Sequence, residues 1–249
     1  MLTNYHTHHY RCGHASGEIE DYIIEAIKHD YAEIGISCHV PYENFKKIGL
    51  HRMDYKDVST YFTEIEALQE KYPQISILKS FECEHFPQIH NYISKLEKQT
   101  DYLILAGHYI EKNGKYKNAF SFTKPEQLEI YATQLKRAMK TGLFKILAHP
   151  DVFMTSYPRW DLACEEVAHK LAQSANKYNM ILEINANGLR RMHQPYPAKE
   201  FWSIIANHYP ETKILINSDC HHPEYLNDEY VEQARQMAKD LNLKVLERL

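Results

Sequence analysis

Nine side chains with metal-binding chemistry stand where short apolar runs end. His6 and His8 follow Leu2-Thr3-Asn4-Tyr5, and Asp219 and His221 follow Lys213-Ile214-Leu215-Ile216. On an extended backbone residues two apart face the same side, so either pair can grip one ion. His14, His39, Glu82, His108 and His149 complete the set in similar positions. Nine N and O donors exceed the three or four protein ligands of a single catalytic zinc, so two or three ions are implied, and a trinuclear site fits best. Imidazole and carboxylate suit zinc, manganese or iron. Any one histidine is more often a hydrogen-bonded structural residue; the repetition in one context is what points to a site. The other nine histidines, including His29, His169 and His208 on helix-patterned segments, read as structural or solvated.

The elements that must position these residues alternate along the chain. Strand patterns at Leu2 to His6, Glu33 to Cys38, Ile75 to Cys83, Tyr102 to Ala106, Phe144 to Ala148, Met180 to Asn185 and Lys213 to Asn217 are apolar and short. Helical spacing follows each, near Ile19 to His29, Tyr55 to Tyr72, Gln88 to Glu97, Pro125 to Lys140, Leu162 to Tyr178, Ala198 to His208 and Asp228 to Leu241. Pro125 suits a first helical turn and Gly142 an end. Seven βα units without a Gly-rich phosphate loop argue for an α/β barrel with its functional residues at the C-terminal ends of the strands. A doubly wound sheet would spread the same residues along an edge. Glu111 to Lys124 reads as a polar loop at the mouth, and Leu243 to Leu246 as an extra strand or a docked tail.

The 249 residues suit one domain, 1–249. Acidic and basic totals of 33 and 29 leave a formal charge of −4, which offers nucleic acid no broad footprint and favours a small substrate. No apolar run approaches the roughly 18 residues of a membrane span, and no secretory signal opens the chain, so a soluble cytoplasmic protein with no membrane partner is expected. Cys12, Cys38, Cys83, Cys164 and Cys220 form neither an even set nor a CxxC pair, and read as packed free thiols outside the metal site.

The segments His6-Thr7-His8, Cys12-Gly13-His14, Cys38-His39, Phe81-Glu82, Gly107-His108, Ala148-His149-Pro150-Asp151 and Ser218-Asp219-Cys220-His221 together resemble the PHP (polymerase and histidinol phosphatase) family. The similarity spans residues 1 to about 225. Length, Phe81-Glu82-Cys83-Glu84 and Glu183-Ile184-Asn185-Ala186-Asn187-Gly188-Leu189-Arg190 make the chain most similar to the stand-alone histidinol-phosphate phosphatases of that family. The resemblance implies a distorted (βα)7 barrel and three ions. His6, His8, Glu82 and Asp219 would hold the first, His14, His39 and His221 the second, and His108 and His149 the third, with Glu82 bridging.

The implied chemistry is hydrolysis of a phosphate monoester, L-histidinol phosphate, by a hydroxide held between ions that bring the pKa of water to roughly 7. Arginine suits phosphoryl oxygens. Arg190, just after the sixth strand, is the first expectation for that clamp and Arg159, after the fifth, the second; Arg191 reads as solvated surface. A carboxylate should help to select the substrate's ammonium and imidazole, and Glu84 and Asp161 are the candidates, with Asp161 equally suited to cap a helix. Tyr109 and Tyr157 can wall a pocket, although packing is the commoner use of tyrosine. Two rivals stay open: the same metals acting on phosphotyrosine or a phosphodiester, and a non-catalytic metal staple, which should be coordinatively closed.

Overall fold

A computed structural model describes residues 2–45, 47–49 and 51–249. In chain order the regular elements are β1 (Leu2–Asn4), α1 (Ile19–Lys28), β2 (Tyr31–Ile36), α2 (Val58–Lys71), β3 (Ser76–Lys79), β4 (Glu82–Cys83), α3 (His90–Glu97) and β5 (Ile104–Leu105). They continue with β6 (Tyr109–Lys112), β7 (Lys115–Asn118), α4 (Pro125–Met139), β8 (Ile146–Leu147), α5 (Leu162–Tyr178), β9 (Ile181–Asn185), α6 (Lys199–His208), β10 (Ile214–Asn217) and α7 (Glu229–Asp240).

The helices form for visible reasons. In α1 the buried Ile19, Tyr22, Ile23 and Ala26 recur at helical spacing, and Asp21 reaches back to the backbone N–H of Glu18 at 2.8 Å. Pro125 opens α4. Asp161 caps α5 by accepting from Ala163 and Cys164 N–H groups, and Asn179 ends it with φ +57°.

Strand pairing is parallel in two sheets, ordered β1-β2-β3 and β10-β9-β8-β5-β4. Isolated parallel bridges, Thr7 with Cys220 and His39 with Glu82 at the start of β4, connect the two sheets on both sides. The single strand expected over Ile75 to Cys83 is broken after Lys79; Ser80 and Glu82 instead donate to Ile36 and Ser37 carbonyls at 2.8 and 2.9 Å. Glu111 to Lys124 is likewise not a plain loop. It begins in the antiparallel β6–β7 hairpin, turned by Asn113 and Gly114, whose positive φ values of 54° and 77° suit an Asn-Gly type I′ turn. The tail docks: Val245 bridges to Ile214.

Side chains alternate across the strands, and the alternation divides the core. Leu103, Leu105, Leu147, Leu182, Ile184 and Ile214 join the large cluster packed under the helices. Tyr102, Ile104, Ile146, Ala148, Ile181 and Leu215 face the other way into a smaller cluster with Tyr5. Gly35 permits this crowding, because a Cβ there would lie 1.8 Å from the Tyr102 hydroxyl. Continued along the chain by twos, the inner face of β9 carries Glu183 and Asn185, and that of β10 carries Asn217 followed by Asp219. All five cysteines are buried and unpaired, as expected. No described helix is long and apolar enough to cross a membrane.

Candidate metal centre

The nine expected ligand residues meet at the C-terminal ends of the strands. His6 Nε2 and His8 Nε2 are 3.2 Å apart. Asp219 Oδ1 is 3.6 and 3.0 Å from them, and the Glu82 carboxylate 3.5 and 3.6 Å. For metal–ligand bonds of about 2.1 Å the edge of a tetrahedron is about 3.4 Å, so these separations fit one ion. His6, His8 and Glu82 form one such triad, His8, His39 and His221 a second, and His39, Glu82 and His108 a third; His8 also groups with Cys12 and Cys38, which brings two thiols expected outside the site against its edge. His14 joins through His221, their Nε2 atoms 3.0 Å apart, and His149 through His108, 3.2 Å apart.

Glu82 is the centre of the arrangement. It is buried, lies 2.7 Å from His39 Nδ1, 3.4 Å from His108 Nε2 and 3.0 Å from His149 Nε2, and also faces His6 and His8. Among the described residues its Oε2 and Asp219 Oδ1, both facing the imidazole nitrogens, are buried without a hydrogen-bond partner. Buried polar atoms are rarely left so, and lone pairs converging without a proton between them are what an ion satisfies. His149 and Asp219 sit at φ +30° and +47°, strained for non-glycine residues and typical of functional positions.

Charge is balanced within the cluster. Burial alone would raise the pKa of Glu82, but His108, His39 and His6 outweigh it and hold the carboxylate well below its usual range. Asp219 is lowered in the same way by His6 and His8. Burial would keep His8 neutral, yet Asp219 and Glu82 raise it to about 9. Farther out, burial prevails and lowers His39 to about 4 and His221 to about 3. Cations added here would compete with protons on the inner imidazoles.

The pocket over this cluster has a volume of about 180 Å³ and is walled by Tyr109, Phe120 and Tyr196, with Arg52, His51 and Arg191 at its side. Tyr196 packs against the 186–190 turn, where Gly188 is required: a Cβ would lie 2.1 Å from the Tyr196 carbonyl oxygen.

The expectation for Arg190 is corrected here. Its guanidinium is spent on the Asp228 carboxylate at 2.7 and 2.8 Å and on the Ser218 and Tyr225 carbonyls, away from the pocket. Arg159 is exposed and also lies outside it. Arg191, read as surface, lines the pocket; it lies over the Phe120 ring and donates to the Tyr196 hydroxyl at 3.1 Å. Glu84 does border the site, but it is no free carboxylate for an ammonium. Both oxygens accept from Arg52, one also meets His108 Nδ1 at 3.0 Å, and burial is outweighed so that its pKa falls. Asp161 is the helix cap already described, and Tyr157 donates to it, so neither faces the pocket, whereas Tyr109 does.

Several pocket-side or supporting residues escaped the sequence reading, Phe120 and Tyr196 of the pocket wall among them. The His51 ring lies tilted against that of His14, their centroids 4.7 Å apart, and Arg52 anchors Glu84; both come from a loop with no strand or helix signal. Glu183 was detectable: a charged residue inside a buried strand, two before Asn185, has to meet polar partners.

Fold and site together define an α/β protein built around a cluster of histidines and carboxylates at the strand ends. Residues 4–187 match the PHP domain family, and the chain belongs to it. A curated relative, the probable histidinol-phosphatase of Deinococcus radiodurans, is 21% identical, over 95% of this chain and 92% of that protein. Two crystal structures share the fold. The putative histidinol phosphatase of Listeria monocytogenes superposes with a TM-score of 0.73 at 19% identity, covering 93% of this chain and 99% of that one. The histidinol phosphate phosphatase of Lactococcus lactis, solved with zinc, L-histidinol and phosphate, gives 0.74 at 18% identity over 98% and 95%.

Proposed function

We propose that this chain is a metal-dependent phosphomonoesterase that hydrolyses L-histidinol phosphate to L-histidinol and phosphate. The observation that carries the reading is Glu82, one buried carboxylate within 3.6 Å of five imidazoles. We assign His6, His8, Glu82 and Asp219 to a first ion, His14, His39 and His221 to a second, and His108 and His149 to a third that shares Glu82. Zinc, manganese and iron all suit these donors. The two sheets and their bridges are read as one distorted seven-stranded barrel, with β3 and β4 as a single broken strand and Thr7–Cys220 as the closure.

Bound there, the ions would supply a water acidified toward neutral pH and positive charge facing the phosphoryl oxygens. The chain's own groups do the rest. Arg191 can turn its guanidinium to the phosphate while Phe120 and Tyr196 hold it in place. The same rings, with Tyr109, shield the reacting group from bulk water and offer flat surfaces to an imidazole. Glu84 presents the Nε2 of His108 by accepting at Nδ1.

The substrate is supported by the names of the relatives and by the ligands of the Lactococcus lactis protein. On this reading the protein works in the cytoplasm in amino-acid biosynthesis. The test is steady-state turnover of histidinol phosphate beside a phosphotyrosine peptide and an oligonucleotide, with the protein loaded in turn with zinc, manganese and iron. Highest kcat/KM on histidinol phosphate is expected. Preference for either of the others would keep the metal centre and replace the substrate.

A further inference from the structure

The inner face of β9 places the Glu183 carboxylate beneath the metal centre, fully buried and with each oxygen holding two partners. Oε1 meets His6 Nδ1 and Asn217 Nδ2, both at 2.8 Å. Oε2 accepts from the backbone N–H of His149 at 3.0 Å and from Asn185 Nδ2 at 2.8 Å. The Asn185 amide also donates to Asp219 Oδ2 at 3.1 Å. One carboxylate therefore touches His6 and His149 directly and reaches Asp219 through one amide.

We infer that Glu183 is the positioning residue of the metal centre: it selects the His6 tautomer that leaves Nε2 free for an ion, fixes the backbone of His149 and, through Asn185, orients the Asp219 carboxylate toward the same cluster. An ionised carboxylate only accepts, so His6 must carry its proton on Nδ1. Its Nε2 lone pair then points at the space between His8, Glu82 and Asp219, where the donor separations suit an ion. The two strained residues of the centre, His149 and Asp219, are the ones tied into this network. At His149 the strained backbone is held by its N–H bond to Glu183, and at Asp219 the side chain is held by Asn185, which itself donates to Glu183. Glu183 lies on the Nδ1 side of His6, behind the ring, so it acts through the ligand.

Glu183→Gln tests this with little change of volume. A glutamine has one acceptor where the glutamate has two, so it cannot serve both His6 Nδ1–H and the donors on the other oxygen. If its amide nitrogen faces His6, the imidazole must take the opposite tautomer and place a proton on Nε2, where the ion would bind.

The inference rests on the metal reading, and the experiment separates the two. Zinc is titrated into metal-free wild type, Glu183→Gln and Asn185→Ala, with bound metal counted and the thermal unfolding of each metal-free protein recorded. Wild type that binds no zinc defeats the metal reading itself. With wild type binding, Glu183→Gln should weaken one ion on the order of 10–100-fold, and the metal-free protein should also unfold at a lower temperature because buried donors lose an acceptor. Asn185→Ala, which removes the amide linking Glu183 to Asp219 and the acceptor for the Asn187 N–H but leaves His6 and His149 on the Glu183 carboxylate, should weaken it less. Unchanged zinc affinity in a folded Glu183→Gln protein overturns the proposal, because a core brace alone would lower unfolding temperature and leave affinity intact. Should Glu183→Gln not fold, the zinc affinity of Asn185→Ala decides: weakened supports the proposal, unchanged overturns it.

Discussion

Glu84 receives the Arg52 guanidinium on both carboxylate oxygens, at 3.0 and 2.9 Å, with the carboxylate buried and the guanidinium largely so at the pocket's side. Removing one partner strands the other. Arg52→Ala should destabilise the metal-free protein by about 3–5 kcal/mol in urea unfolding, more than Glu84→Gln does. The pair also fixes a pH window. Burial would raise the Glu84 pKa, but Arg52 and His108 lower it. A lowered carboxylate contributes stability that is complete above its unfolded value of about 4.3 and is lost as pH falls below it. The difference between wild type and Glu84→Gln should accordingly shrink from pH 6 toward pH 3. A difference that is flat across that range would show that Glu84 is not held ionised.

Arg191 and Arg190 should separate cleanly despite being neighbours. Arg191→Ala should lower kcat/KM on the order of 30- to 1,000-fold, the cost of a lost charge-assisted contact in a shielded site, with bound metal unchanged. Arg190→Ala should act first on stability, because it releases Asp228, the cap of α7, and two carbonyls. Equal loss of turnover in both, at equal stability, would return the phosphate to Arg190.

His9 gives a pH dependence of a different origin. It is buried against Tyr61 with both nitrogens unpartnered among the described residues, and burial and Arg11 lower it to about 3. The folded chain keeps the ring neutral while the unfolded chain takes a proton below about 6.5. Stability from this residue is complete above that value and is lost as pH falls toward 3, at up to about 1.4 kcal/mol per pH unit. His9→Phe should lose less stability between pH 7 and pH 4 than wild type does. Identical acid sensitivity in the two would place the loss elsewhere.

Much of this was legible in the chain. Eight of the nine ligand candidates were identifiable because they stand at or just past the end of an apolar run, while His14 follows the Cys12-Gly13 turn, and the fold brings all nine together. Asp161 was correctly open to a capping role, since its two following N–H groups need an acceptor wherever the helix starts. The choice between Arg190 and Arg191 was not legible. It depends on Asp228, 38 residues away, and on a short helical turn that sends consecutive side chains in different directions. The role of Glu84 was hidden for the same reason, because Arg52 reaches it from a loop whose path no local periodicity describes. The β6–β7 hairpin, in contrast, is signalled by Asn113-Gly114, although the polar composition around it reads as a loop.

The central claim is that ions gathered around Glu82 carry out hydrolysis of histidinol phosphate. Metal content and phosphate release should be measured on the same samples of wild type, chelator-treated wild type and Glu82→Ala. Chelated protein should be inactive and regain turnover with zinc, manganese or iron to differing extents, and Glu82→Ala should bind less metal and release no phosphate, as should His6→Ala and Asp219→Ala. Near-normal phosphate release by metal-free wild type, or by metal-depleted Glu82→Ala, would contradict the account.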